Sequence, residues 1–427
     1  MVERINKHSW KRFLSHEYVT SKILEKGIVW CMKESAKRII NIILCNDKEK
    51  RIYNIISSPP RQIPPGLLYT KDWLETFSYI KRAIFFYKTP KRILGIMDFN
   101  RQFFALGDTV TFHENLFILK EKHNAEGIDI CIVEDLTIKE KSDPKKELVM
   151  QTFKLNPHIE NIFDFDNRND YNQFRLIHLH KYYFFPNRRD QFHCDHRPLL
   201  KYQKNNSSLP KMSVNKSSLD WAKGIIELYV RSRKLIVIQI RNTLRIKNPN
   251  VFPDVIKGKS GAALRNTNLP EWEKFFLNVD KNKYQIICVC SKDEIIPSWR
   301  ENNLVIFSKD LGADLMKDFA LVQCSYLSLF PPSGVFDFAL FAGTPCCVFN
   351  YPLGYGKRKG NIYHLNHGLE DYEQYNYQSP YQRLIWGQKD TFDIINFHFN
   401  ELVVKLKNGG YDDEYRKKIQ ISEGVMS

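Results

Sequence analysis

The sequence predicts an α/β protein made of two doubly wound parallel-sheet domains. Three observations carry that expectation. The chain has 427 residues, enough for two or three domains at roughly 150 residues each. Its 43% hydrophobic and 13% aromatic content supplies the apolar surface that disordered and fibrous chains lack. Short apolar runs with polar borders alternate with helical stretches, as strands do when crossover helices link them.

Residues 1–66 read as a basic, partly amphipathic N-terminal extension with an apolar run at Ile39–Leu44. It ends at SSPPRQIPPG (Ser57–Gly66), where paired prolines remove amide donors and resist helix, so a boundary or long loop falls there. Residues 67–200 then form the N-terminal α/β domain. RILGIMDF (Arg92–Phe99) is short and apolar like a buried strand, and ALGDTVTFHENLFILKEKHN is a loop opening a helix that stops near Gly127. IDICIVE (Ile128–Glu134) is a second strand, at the spacing of a parallel βαβ unit.

The polar stretch Asp195–Ser218 suits an exposed connection, with the linker itself at 201–220. Residues 221–427 form the C-terminal domain, closed by terminal helices. Its first helix is SLDWAKGIIELYVRS, with Ser218 as the candidate N-cap. KLIVIQI (Lys234–Ile240) and YQIICVC (Tyr284–Cys290) are strongly apolar strands. NLVIF (303–307), YLSLF (326–330) and TPCCVFN (344–350) are further strands in the same alternation.

Lys and Arg number 64 against 48 Asp and Glu, a formal charge of +16, which favours phosphates, anionic lipid or acidic polymers without choosing among them. Nine scattered cysteines show neither disulfide-framework nor zinc-ribbon spacing, so a reducing compartment is expected. No apolar leader and no membrane-spanning run stands out, and the expected location is cytoplasmic, with the basic N-terminal segment available for peripheral contact with anionic membrane.

In open parallel sheets ligands collect beyond the carboxyl ends of the strands. After KLIVIQI come Arg241, Asn242 and Thr243, with Arg245 and Lys247 close behind. A guanidinium there can grip a phosphate through two parallel charge-assisted bonds, or simply pair with a surface carboxylate. After YQIICVC come Ser291, Lys292, Asp293 and Glu294, where a carboxylate can accept from a ribose or base, or cap a helix. The strongest local signal is SYLSLFPPSGVFDFALFAGTPCCVF. Here Ser333 can cap a helix, and Gly334 can let backbone amides approach an anion at its positive end.

Together these residues resemble the fucosyltransferase-like GT-B glycosyltransferases: VIQIRN their strand-plus-Arg element, CVCSKDE the strand ending in a Thr/Ser-Asp-Asp turn, and SYLSLFPPSGVFDFALFAGTP the donor-site turn and helix. The resemblance implies a GT-B-like fold of two Rossmann-like domains facing a cleft, and transfer of sugar from a nucleotide-diphosphate donor to a hydroxyl acceptor, a glycan or lipid-linked precursor. It implies Arg241 for the phosphate, Asp293 for the nucleoside, and Ser333 with Gly334 at the diphosphate; Asn242 and Arg245, close to Arg241, are further donor-binding candidates. It departs from the family at Gln239, where a His often stands, and at Asn242, where a second Arg does. Leu106-Gly107-Asp108 is similar to the Gly-Asp turn of heptosyltransferase-like GT-B enzymes, which implies Asp108 as base; read without the resemblance, Asp108 caps the following helix.

His113 and Glu114 are further base candidates one turn on. His193, Cys194, Asp195 and His196 offer metal-ligand atoms but lack a second cluster at suitable spacing, so no metal is expected, and no cofactor. Cys288 and Cys290 share one strand face and read as core. Lys357, Arg358 and Lys359 read as a solvated basic loop, with a donor phosphate or an acidic acceptor as the alternative. The absence of Gly-x-Gly-x-x-Gly and P-loop motifs argues against dinucleotide oxidoreductases and P-loop NTPases. Dispersed basic residues without a recognisable motif argue against a nucleic-acid partner. The alternatives are a nucleotide-sugar epimerase or hydrolase of the same architecture, or a basic nucleic-acid-binding protein.

Overall fold

The structure, a computed structural model, describes residues 91–100, 104–136, 143, 145–178, 181–186, 193–206, 208–242, 265–353, 369, 372–375, 377 and 379–420. The N-terminal extension, its Pro-rich boundary, Arg245, Lys247 and the Lys357–Lys359 loop lie outside them.

In chain order the elements are β1 (Arg92–Asp98), α1 (Leu106–Lys122), β2 (Gly127–Val133), α2 (Lys146–Gln151), β3 (Ile159–Phe165), α3 (Arg168–Ile177), β4 (Tyr182–Phe185), α4 (Arg197–Asn206) and α5 (Lys216–Ile225). There follow β5 (Lys234–Gln239), α6 (Leu269–Asn278), β6 (Tyr284–Val289), α7 (Pro297–Glu301), β7 (Ile306–Phe307), α8 (Leu315–Cys324), β8 (Leu327–Phe330), α9 (Gly334–Ala342), β9 (Cys346–Tyr351), β10 (Gln382–Trp386), α10 (Phe392–Asn408) and α11 (Tyr411–Ile419). The α/β class and the strands expected from apolar runs are present. Within the expected linker at 201–220 the chain completes α4 and begins α5. Asn215, not Ser218, caps α5, its side chain accepting from the Ser218 amide at 2.9 Å. Among the described residues no helix is long and apolar enough to cross a membrane.

Contacts divide the chain into two compact units. One holds a four-stranded sheet in the order β3-β2-β1-β4, with β1 parallel to β2 and β4. Leu94, Ile96, Cys131, Val133, Tyr182 and Phe184 pack with Tyr171 of α3 on one face. Buried Asp129 fixes the strand ends: it accepts from Arg92 Nη2 at 2.6 Å, from Arg92 Nε at 2.9 Å and from the Tyr182 hydroxyl at 2.7 Å.

The second unit holds α1, α2 and all elements from α4 onward. Its six strands run parallel in the order β10-β9-β8-β5-β6-β7. Alternation assigns each side chain of β5 to one of two cores: Leu235 and Val237 face one, Ile236 and Ile238 the other. The first core is covered by α5, α8 and α9, the second by α6, α10 and α11. Cys288 and Cys290 lie together in the second core, as strand geometry requires. Strand order reverses between β5 and β8, so their carboxyl ends form a topological switch point, the place where open sheets bind ligands.

Candidate functional site

The carboxyl ends of β5 and β8 are tied directly. The Ser333 hydroxyl donates to Gln239 Oε1 in a very short hydrogen bond. Ser333 thus occupies the N-cap position of α9 with extended backbone, but its hydroxyl does no capping. Arg241 is locked at the backbone, donating to Thr267 Oγ1 at 2.8 Å and accepting from the Thr267 amide at 2.9 Å. The Asn242 amide donates to Glu294 Oε1 at 2.9 Å, and Glu294 also accepts from the Ser291 amide and hydroxyl. Buried Glu294, rather than exposed Asp293, therefore joins the β5 and β6 loops.

The loop carrying Thr267 is itself braced from behind. Asp390 accepts from the Asn268 amide at 2.9 Å, the Trp272 indole at 2.7 Å and Asn350 Nδ2 at 2.7 Å. Arg265, two residues before Thr267, acts by its charge on a pair of carboxylates.

Those carboxylates, Asp108 and Asp337, are brought together by α1 and α9. A Cβ on Gly334 would fall onto the Gly107 amide and the Leu106 Cβ; one on Gly107 would meet the Asp337 carboxylate. The glycines permit this approach, so the close backbone contact at Gly334 is made with the first turn of α1. Asp108 stands three residues after Ala105 and accepts its amide at 3.1 Å, half of a capping box. Asp108 therefore does not precede the helix, as the capping reading had it, but lies inside its first turn and bonds back to Ala105, while its carboxyl also takes a hydrogen bond from Cys194. Burial pushes that carboxyl up to about 6, opposed by the Ala105 amide, Cys194 and the charges of Arg265 and Lys145. Burial and the charge of Asp108 hold Asp337 well above the usual carboxylate range, with Arg265 opposing. Two interacting carboxylates in one pocket titrate as a pair, one retaining its proton when the other ionises.

Cys194 reaches this pair because its loop is pinned by α1. Buried Asn115 donates to the carbonyls of Thr111 and Asp195, at 3.1 and 3.0 Å. His196 lies between the hydroxyls of Thr111 and Tyr377, stacked on Tyr375 and Tyr377. Asp195 bonds Arg197. These fix His193 and Cys194 beside Asp108, with one ligand-type atom of each of the three residues within 4.8 Å of the others. The FHCDH loop thus has the partner that spacing alone did not reveal. His113 and Glu114, by contrast, point into the core. His113 bonds Thr152 Oγ1 at 3.0 Å, and burial lowers it to about 3; burial raises Glu114 well above its ordinary range.

The site therefore runs as a ring: Arg241 bonds Thr267, Arg265 of the same loop acts by its charge on Asp108 and Asp337, Gly107 meets Gly334, and Ser333 bonds back to Gln239. Of the residues expected from sequence, Arg241, Ser333, Gly334 and Asp108 belong to it, and Asn242 adjoins it. Asp293 stands outside on an exposed turn. Arg265, Asp337 and Cys194 were missed as partners of Asp108. Asp337 did carry a signal, an acid inside the otherwise apolar helix GVFDFALFA.

No protein-family model and no curated protein matches the chain. Among solved structures it is similar to the Escherichia coli ADP-heptose lps heptosyltransferase II, at 10% identity over 74% of this chain and 99% of that one, with a TM-score of 0.46. It is also similar to a glycosyl transferase family 9 protein from Veillonella parvula (12%, 73% and 89%, TM-score 0.43). A third is E. coli heptosyltransferase WaaC with ADP (9%, 73% and 99%, TM-score 0.40). Likeness at this level assigns no activity, which has to be argued from the site.

Proposed function

We propose that the chain is a GT-B-type glycosyltransferase that moves a sugar from a nucleotide-diphosphate donor to a hydroxyl acceptor, a glycan or lipid-linked precursor, without a catalytic metal. The observation that carries this reading is the ring at the β5/β8 switch point, where Arg241 and Arg265 stand on one braced loop system and Asp108 lies across from them. The fucosyltransferase-like pattern of VIQIRN, CVCSKDE and the Ser333 turn supports the donor side, with Asp293 offered to the nucleoside and Arg245 to the phosphates. The Leu106-Gly107-Asp108 turn supports the base.

The chemistry follows from where charge develops. As the anomeric bond breaks, negative charge gathers on the departing nucleoside diphosphate. The guanidinium of backbone-anchored Arg241 and the positive N-terminal end of α9 stabilise it. The acceptor hydroxyl must lose a proton as its oxygen attacks, and Asp108, ionised above about pH 6, is the group to accept it. Arg265 and Lys145 favour that ionised form, while protonated Asp337 spares the pocket a second charge.

A thermal-shift screen of GDP, UDP, dTDP, ADP and CMP selects the donor class, since a ligand bound by the native state raises its melting temperature. With that donor, Arg241→Ala is expected to lose about 2–4 kcal/mol of transition-state stabilisation. Wild-type turnover in Arg241→Ala refutes the phosphate role. Donor breakdown without any acceptor would point to a hydrolase or epimerase instead. A cytoplasmic location with the N-terminal segment on anionic membrane completes the proposal, and liposome co-sedimentation of the full chain against one starting at Pro65 tests it.

A further inference from the structure

We propose that Asp108, His193 and Cys194 form a binding site for a zinc-class divalent cation, and that the bound cation holds the transferase inactive. His193 carries the argument. It is 4% exposed, yet neither ring nitrogen has a hydrogen-bond partner. Leaving a buried polar nitrogen unsatisfied is costly, and native structures rarely tolerate it without a purpose. The ring is held by packing, with Phe104 at a centroid distance of 4.5 Å, and by the Asn115 anchor on its loop. The unprotonated nitrogen of a neutral imidazole offers a lone pair to a metal.

The donor set matches the ion. Thiolate, imidazole and carboxylate are the ligand types of zinc, and three protein ligands leave a fourth position for water. Tetrahedral zinc with bonds of about 2.0–2.3 Å places its ligand atoms roughly 3.3–3.8 Å apart. The three atoms here already lie within 4.8 Å, so modest side-chain rotation closes the site. Binding converts the Cys194 thiol to thiolate and releases its proton to solvent; that thiolate and the Asp108 carboxylate balance the two positive charges of the ion. Arg265 and Lys145 oppose the cation, and protonated Asp337 adds no charge for or against it.

The inhibitory part rests on the reading of Asp108 as base: a carboxylate oxygen engaged by metal cannot take the acceptor's proton. The two parts fail separately. Metal-depleted full-length protein is titrated with Co2+, then with competing Zn2+. The expected result is one ion per chain, with a sulfur-to-cobalt charge-transfer band and the intense visible bands of a tetrahedral centre. Zn2+ erases these bands and raises the melting temperature. Cys194→Ser loses the charge-transfer band and the thermal shift, and His193→Ala binds at least tenfold more weakly. An absent band, or one that persists in Cys194→Ser, overturns the site. Were Cys194→Ser poorly folded, His193→Gln, with a melting curve matching wild type, is expected to bind cobalt at least tenfold more weakly, and unchanged affinity overturns the site. Stoichiometric Zn2+ is expected to stop sugar transfer in wild type and to lose that effect in Cys194→Ser. If cobalt binds as described while zinc leaves turnover unchanged, the site stands and its inhibitory role falls. Full turnover of Asp108→Asn in metal-free buffer refutes the base assignment alone.

Discussion

The junction of α1 and α9 can be tested by adding single methyl groups. A Cβ at Gly334 would lie 2.6 Å from the Leu106 Cβ and 2.8 Å from its carbonyl carbon, and nearer still to the Gly107 amide nitrogen. All are backbone or backbone-proximal atoms, so no rotamer change relieves the overlap and the helices must part. Overpacking costs about 1–3 kcal/mol when side chains can adjust, and the rigid neighbours here put Gly334→Ala near the upper end. Gly107→Ala meets the carboxylate of Asp337, the far end of a side chain, and should cost less. Gly224 in α5 is the control: its added Cβ meets nothing within 4 Å. Replacing a helical glycine there should stabilise by about 0.5–1 kcal/mol, through the lost flexibility of the unfolded chain. Scanning calorimetry should order the melting temperatures as Gly334→Ala below Gly107→Ala, below wild type, below Gly224→Ala. At about 2–4 °C per kcal/mol for a domain of 150–250 residues, the extremes should differ by several degrees. Turnover should fall with Gly334→Ala, because Asp108 stands in the turn that is pushed away. If Gly334→Ala melts with wild type, the two helices do not meet as described and the carboxylate pair loses its basis.

The remaining expectations concern protons and braces. The pH profile of kcat/KM should rise through about pH 6 as Asp108 ionises, and Asp108→Asn should abolish both turnover and that limb. The raised carboxyl means that the folded state holds more protons than the unfolded state between about pH 4 and 6, so stability falls as pH rises across that window. A shift from 3.8 to about 6 corresponds to roughly 3 kcal/mol at most. Partial solvent access reduces it to about 1–2 kcal/mol. Asp108→Asn should flatten that slope in melting temperatures measured from pH 4 to 8, and an unchanged slope would reject the burial argument. Asp390→Ala strands buried donors on Trp272, Asn268 and Asn350; a loss of about 2–4 kcal/mol is expected, with weakened nucleotide binding through the Arg265–Thr267 loop. Asn115→Ala should weaken cobalt binding while leaving nucleotide thermal shifts intact.

The parts of this protein that could be read from its sequence are those whose physics is local. β5, β6, β8 and β9 are buried on both faces, so KLIVIQI, YQIICV, LSLF and CCVF read as continuous apolar runs. Their ends mark the switch point and hence Arg241 and Ser333. β3 escapes that test, because IENIFDF is largely exposed and carries two acids among its apolar residues. β10 escapes because QRLIW begins with a glutamine that is buried only to bond three carbonyls of the α9–β9 corner. The site is legible in its cations and not in its pairings. Asp108, Cys194, Arg265 and Asp337 are far apart along the chain, and what unites them is a crossing of two helices licensed by two glycines. No spacing rule encodes such a crossing. It leaves a trace in composition instead: an acid in a nine-residue helix with no other polar side chain must be neutral, paired or both, since an isolated buried charge is too costly to keep. Asp337 therefore requires a partner, and Asp108 stands beside it. The Gly before Asp108 and the Gly opening the helix of Asp337 are the two places where backbones could come close enough to supply one.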